Sequence, residues 1–141
     1  MVSKKAKRQP RVGIVSSQFN LEITTVMNNE AQREAQKLGA KVTSIIEVLG
    51  AYEIPFAVQK LLLRKDIDAV VTVGAVVKGE TKHDEAIMHA VCNHLLELQL
   101  RYKKPVGLGI SGPGQSEEQA KARAADYARR SVRAALHQLK I

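Results

Sequence analysis

The chain has 141 residues, 45% of them hydrophobic, with 22 Lys and Arg against 14 Asp and Glu and a formal charge of +8. This is one domain's worth of sequence with material for an ordinary core, and the lack of any run of about 18 apolar residues excludes a membrane-spanning helix. Lys4, Lys5, Lys7 and Arg8 concentrate four of the charges in an aperiodic stretch, and two Phe, three Tyr and no Trp leave little to stack on bases, so dedicated nucleic-acid binding is not expected.

In chain order, the reading begins with a flexible basic tail over residues 1–10 and continues as a single domain over residues 11–141. No apolar stretch resembling a secretion signal follows the first charges, so the expected location is cytoplasmic. The first apolar, β-branched run is "RVGIVSSQF" from Arg11. It is followed by Ile23, Met27, Ala31 and Leu38 at roughly helical spacing, with Gly39 as the stop. "KVTSIIEVLG" from Lys41 precedes a helix through Ile54, Val58, Leu61 and Leu62, with Pro55 in its first turn. "DAVVTVGAVV" from Asp68 leads into Ile87, Val91, Leu95 and Leu98. "PVGLGIS" from Pro105 leads into a helix that opens on Ser116 and Gln119, a capping-box pair, and runs through Ala124, Ala128, Val132, Ala135 and Leu139.

Strand and helix in strict alternation require parallel pairing, because each strand returns by a long right-handed crossover, and the apolar strands need cover on both sides. The expected fold is therefore a three-layer α/β/α domain with a four-stranded parallel sheet and helices on both faces. Ligands in such sheets bind beyond the carboxyl ends of the strands, so four turns should converge there: Ser16 to Asn20, Gly50 to Glu53, Lys78 to His83 and Ser111 to Ser116.

The turn in "GAVVKGETKHDEAIMHAV" (residues 74–91) breaks at Gly79 and starts a helix near His83, which places free backbone N–H groups and a histidine in one small volume. His83 can serve as base and then acid, and an ordinary surface histidine is the alternative. Glu53 has two readings, a carboxylate that accepts from a polyhydroxyl ligand or a helix-start cap. Phe19 and Asn20 set an aromatic face beside an amide, suited to a planar heterocycle, unless Phe19 is core. Arg123 and Arg130, seven residues apart, share a helical stripe that faces either an anion or solvent. No metal is expected, because His83 and His94 are about 16 Å apart along a helix and His89 and His94 project about 140° apart. Cys92, among Met88, Leu95 and Leu96, reads as a small buried hydrophobe in a reducing compartment.

Taken together, "SSQFN", "LGAYEIPFAVQKL", "VGAVVKGETKHDEAI" and "KPVGLGISGPGQSEEQAKAR" resemble, in order and spacing, the motifs of the lumazine synthase family over residues 11 to 140. "GISGPG" with "HDEAIMHAV" is most similar to its archaeal branch. The resemblance implies a flavodoxin-like fold and the riboflavin-pathway condensation of 5-amino-6-ribitylaminouracil with 3,4-dihydroxy-2-butanone 4-phosphate. The products would be 6,7-dimethyl-8-ribityllumazine, phosphate and water, with no cofactor.

The resemblance also implies roles by position. Phe19 would stack on the pyrimidine with Asn20 beside it, Ala51, Tyr52 and Glu53 would hold the ribityl chain, and Ala75, Val76 and Val77 would offer backbone hydrogen bonds to the pyrimidine edge. Glu80 and Thr81 match the phosphate-binding backbone, His83 the proton-transfer residue, and Arg123 an arginine given to the phosphate by a neighbouring subunit. Leu108 stands where the family commonly has an aromatic second wall, and Arg130 replaces a pyrimidine-binding lysine of many bacterial members. A homo-oligomer is implied, a pentamer or an icosahedral 60-mer. A related archaeal riboflavin synthase, a flavodoxin-like binding domain and a cargo-collecting shell protein are the other readings; the first conflicts with the Gly-Glu-Thr-Lys-His turn and the second with the missing acidic cluster after strand one.

Overall fold

In the computed structural model, which describes residues 8–141, each β-branched run pairs in one parallel sheet and each amphipathic run folds back over it. The elements are β1 (Arg11–Ser17), α1 (Leu21–Lys37), β2 (Lys41–Val48), a short 3₁₀ turn (Ala51–Glu53) running into α2 (Ile54–Leu62), β3 (Ala69–Val77), α3 (His83–Tyr102), β4 (Val106–Gly107), β5 (Ile110–Gln115) and α4 (Glu117–Gln138). The strand order is β2-β1-β3-β4, with β5 also pairing β3, and all pairings are parallel. Residues 1–7 of the expected basic tail lie outside the described residues. Of the remainder, Arg8 donates to Asp68 at 3.1 Å and the Pro10 carbonyl accepts from Lys41 N at 2.7 Å.

Two cores follow from the period-two alternation of the strands. Val12 and Ile14 of β1 and Val71 and Val73 of β3 face α1 and α4, meeting Ile23, Met27, Ala31 and Ala35 from one helix and Ala120, Ala124, Ala128, Val132 and Ala135 from the other. The opposite face carries Val15 and Val70 against Ile54, Val58, Leu61 and Leu62 of α2 and Met88, Val91 and Leu95 of α3. Each fully buried Ile, Leu or Val contributes about 1.5 to 3 kcal/mol. The alanine stripes of α1 and α4 let both helices lie close to the sheet and to each other. Arg133 Nε donates to the buried Glu34 at 2.9 Å and Arg129 to Glu30 at 3.0 Å, pinning α4 to α1. Ser116 and Gln119 form the expected capping box, with bonds of 3.1 and 2.9 Å. Among the described residues no helix is long and apolar enough to cross a membrane.

Two expectations need correction. The sheet has five strands, because the fourth run is split at Leu108. The Thr72 hydroxyl interrupts the ladder there, donating to the Gly107 carbonyl at 2.8 Å and accepting from Gly109 N at 3.2 Å. Helix α4 presses on the break: a Cβ at Gly107 would lie 2.1 Å from the Ser131 carbonyl oxygen, and one at Gly109 would lie 2.3 Å from that of Thr72. Only glycine fits this approach. The second correction is Leu38, which lies past the end of α1 and is exposed rather than core.

Candidate active site

The site grows from three turns at the carboxyl edge of the sheet. After β1 the chain reverses at Asn20, whose φ of 65° lies in the left-handed region that asparagine tolerates, so its carbonyl can accept from Ile23 N and Thr24 N at the start of α1. Asn20 Nδ2 donates to the Ala75 carbonyl at 3.0 Å, tying the end of β1 to the end of β3. The reversal leaves Phe19 at 71% exposed, which removes the core reading of that ring. After β2, Glu53 Oε1 accepts from Gly50 N at 2.9 Å, so the carboxylate caps its own turn while it borders the cleft. Tyr52 beside it is 69% exposed.

After β3 the chain leaves the sheet at Lys78, whose N–H donates to the Gln115 carbonyl at 2.8 Å. Gly79 to Lys82 follow as an exposed loop, and the N–H groups of Gly79, Glu80 and Thr81 have no hydrogen-bond partner among the described residues. His83 opens α3, with its N–H on Thr81 Oγ1 at 3.2 Å and its side chain exposed. Unpartnered amides in the loop before a 20-residue helix, beside an imidazole, suit an anionic leaving group.

These turns enclose a cleft of about 410 Å³. Its walls bring together Phe19, Ala51, Tyr52, Glu53, Ala75, Val76, Val77, Thr81 and His83, nine of the residues expected from the sequence. Glu80 sits in the same loop without lining the cleft. Asn20 does not line it either and holds the Ala75 carbonyl of its wall, and the remaining three expected residues, Arg123, Leu108 and Arg130, stand elsewhere on the subunit. Arg123 lies on the first turns of α4, with Nη1 3.4 Å from Gln115 Oε1. Leu108 and Arg130 line a separate groove of about 450 Å³ between α3 and α4, where Arg130 lies 5.7 Å from the Tyr127 ring centre and 3.9 Å from Asp126. The fourth turn meets the cleft walls through Gly114 N, which donates to Asp84 Oδ2 at 2.9 Å, and through Gln115 Nε2, which donates to the Val76 carbonyl at 3.3 Å.

Asp84 is the residue the sequence reading missed. It lines the cleft, is 6% exposed, and fastens the end of β5 to the first turn of the helix that carries His83. Its signal was adjacency to His83 in "KHDEA", masked by Asp84 and Glu85 both suiting a helix N-terminus. Cys92 is half-buried, and burial pushes its thiol up, away from nucleophilic use.

A model of the family 6,7-dimethyl-8-ribityllumazine synthase matches residues 9–141. The chain belongs to that family. Proteins named 6,7-dimethyl-8-ribityllumazine synthase are similar along most of the length. One from Staphylothermus marinus is 52% identical over 124 residues, 88% of this chain and 83% of the relative. One from Metallosphaera sedula is 48% identical over 126 residues, 89% and 83%. One from Picrophilus torridus is 46% identical over 131 residues, 93% and 96%. The archaeal likeness of the "GISGPG" loop agrees with these relatives.

Proposed function

We infer that the cleft catalyses the condensation of 5-amino-6-ribitylaminouracil with 3,4-dihydroxy-2-butanone 4-phosphate to 6,7-dimethyl-8-ribityllumazine, releasing phosphate and water. One observation carries this reading: a single cleft joins an exposed aromatic ring, a carboxylate on a short turn, the backbone of a strand end, and a histidine next to unpaired amides.

Each group has a task that its chemistry suits. Phe19 offers a free ring face to the pyrimidine, worth about 1 to 3 kcal/mol for a stacked base. The main chain of Ala75 to Val77 supplies donors and acceptors to its edge, and Asn20 fixes that strand end from behind. Glu53 accepts from ribityl hydroxyls, with Ala51 and Tyr52 forming the rest of that wall. The amides of Gly79, Glu80 and Thr81 receive the phosphate. The 5-amino nitrogen attacks the ketone and a first water leaves to give the Schiff base; phosphate elimination then leaves an enol that tautomerises to a carbonyl, and the ribitylamino nitrogen closes the ring on it with loss of a second water. His83 moves protons in these steps, whereas the amides and Arg123 stabilise charge growing on the phosphate. Holding two substrates together supplies much of the remaining acceleration.

Arg123, Leu108 and Arg130 do not line the cleft of their own subunit, which supports a reading in which a neighbouring copy provides them and the working unit is a ring, pentameric by family likeness. Exposed Phe19, Leu49, Tyr52 and Phe56 on one side and Leu96, Leu100 and Leu108 on another support such a head-to-tail contact. Cytoplasmic placement and a basic tail over residues 1–10 complete the reading. Purified protein given both substrates should develop the absorbance and fluorescence of the lumazine with release of inorganic phosphate. A folded assembly that produces neither contradicts the reading.

A further inference from the structure

We propose that Gln115 is a positioning residue that orients Arg123 toward the phosphate without neutralising it. The proposal rests on the reading of Arg123 given above and extends it to a residue with no role so far. Gln115 ends β5 and is 1% exposed. Its Nε2 donates to Ser111 Oγ at 2.8 Å and to the Val76 carbonyl at 3.3 Å, while Oε1 faces Arg123 Nη1 at 3.4 Å. Its main-chain carbonyl holds Lys78 N at 2.8 Å, where the phosphate loop leaves the sheet.

The amide is fixed by its neighbours. A primary amide has two donors and one acceptor oxygen, and in a site closed to water each needs a partner. Turning it over would set NH₂ against a guanidinium and oxygen against the Val76 carbonyl, two repulsive contacts in place of two bonds. The oxygen is therefore held outward, and Arg123 is the cation it meets. Among the described residues Arg123 makes no ion pair, whereas Arg129 and Arg133 on the same helix are each bound to a glutamate of α1. A carboxylate at position 115 would orient the guanidinium too, but it would cancel the charge an incoming phosphate needs. A neutral oxygen fixes direction and leaves the charge and the other N–H donors free.

The test compares Gln115→Met, Gln115→Glu, Arg123→Ala and the double variant Gln115→Met/Arg123→Ala in the assembled protein. Gln115→Met should raise KM for the butanone phosphate about tenfold, the loss expected for one hydrogen bond to a charged group, with KM for the pyrimidine within about twofold. Gln115→Glu should raise it at least as much, although it keeps an acceptor. The double variant should be no worse than Arg123→Ala, because Gln115 acts through that arginine. Gln115→Asn, which retracts the amide by one methylene, supplies the same split if the Met variant does not fold. Calorimetric titration with inorganic phosphate reads the anchor without turnover, so a chain inactive in the condensation still tests it. Equal rises in both KM values, additive losses in the double variant, a Glu variant that behaves as wild type, or a Met variant silent beside an impaired Arg123→Ala each overturn the inference. An Arg123→Ala variant with unchanged phosphate affinity removes the arginine's role and this proposal with it.

Discussion

The two ends of the sheet treat polar groups in opposite ways. At the amino end Asp68 accepts from Arg11 N at 2.7 Å, from Arg11 Nε and Nη2 at 3.1 Å each, and from Arg8 at 3.1 Å, so that it joins the entries to β1 and β3. Lys104 Nζ binds the carbonyls of Leu62 and Arg64 at 3.0 and 2.8 Å. At the carboxyl end, among the described residues, Lys78, Glu80, Lys82 and His83 make no ion pair, two aromatic rings stand in solvent, and three amides have no hydrogen-bond partner. A groove of about 560 Å³ at the amino end is larger than the cleft proposed as the active site, but Arg8, Asp68 and Arg133 in its lining are already paired with one another or with Glu34. Volume therefore does not mark the site. Unspent hydrogen-bonding capacity does, because groups already satisfied by the fold have little left for a substrate.

The contrast breaks most visibly at His83. Replacing it with Ala should lower kcat about 10- to 1,000-fold, the range of acid–base effects softened by substrate positioning, and leave the melting temperature unchanged because the side chain is exposed. Steady-state rates with calorimetry check both; unaltered turnover would remove the proton-transfer role. A smaller effect is expected at Glu53, which belongs to both worlds, capping Gly50 while facing the cleft. Glu53→Gln keeps an acceptor for Gly50 N but loses the charge, so KM for the ribitylaminouracil should rise about 10- to 100-fold with that for the butanone phosphate nearly constant. Matched losses for both substrates would reduce Glu53 to a cap.

At the amino end the signature reverses, with stability changing and activity not. Asp68→Asn should cost about 1 to 3 kcal/mol of folding free energy in denaturant titrations and leave kcat/KM at pH 7 within about twofold. Burial pushes the Asp68 carboxyl up, but hydrogen bonds from the Arg11 side chain and main chain outweigh it and hold the group below its ordinary value of 3.8. A depressed carboxyl stabilises the fold above the unfolded value and loses that contribution as pH falls through the folded one. Wild type and Asp68→Asn should therefore differ at neutral pH and converge below about pH 3.8. A constant gap down to the acid transition would mean that the charge of Asp68 does not matter.

Much of the fold was legible because the chain's signals agree with one another. Ile54, Val58, Leu61 and Leu62 kept their helical face, Ser116 and Gln119 their box, and Gly39 its positive φ of 87° at the end of α1. The split of the fourth strand was not legible, since "PVGLGIS" has ordinary strand composition, the Thr72 hydroxyl that divides it is 35 positions from its partner Gly107, and the Ser131 hydroxyl reaches the Thr72 carbonyl across 59 positions. Within the site, the turns themselves singled out Phe19, Glu53 and His83, and the family resemblance singled out Ala51, Tyr52 and Ala75 to Val77, all of which border one cleft. Asp84 and Gln115 were not legible, because both act through contacts to Gly114, Val76 and Arg123 that only the packed loops create.

The central claim is that the unspent groups of one subunit's cleft are completed by Arg123 of the next. Inactive His83→Ala and Arg123→Ala chains, unfolded, mixed in equal amounts and reassembled, would place an intact His83 against an intact Arg123 at about a quarter of head-to-tail interfaces. Activity should return to about a quarter of wild type, with mixed assemblies confirmed by mass spectrometry. A mixture no more active than its parents would contradict the shared site.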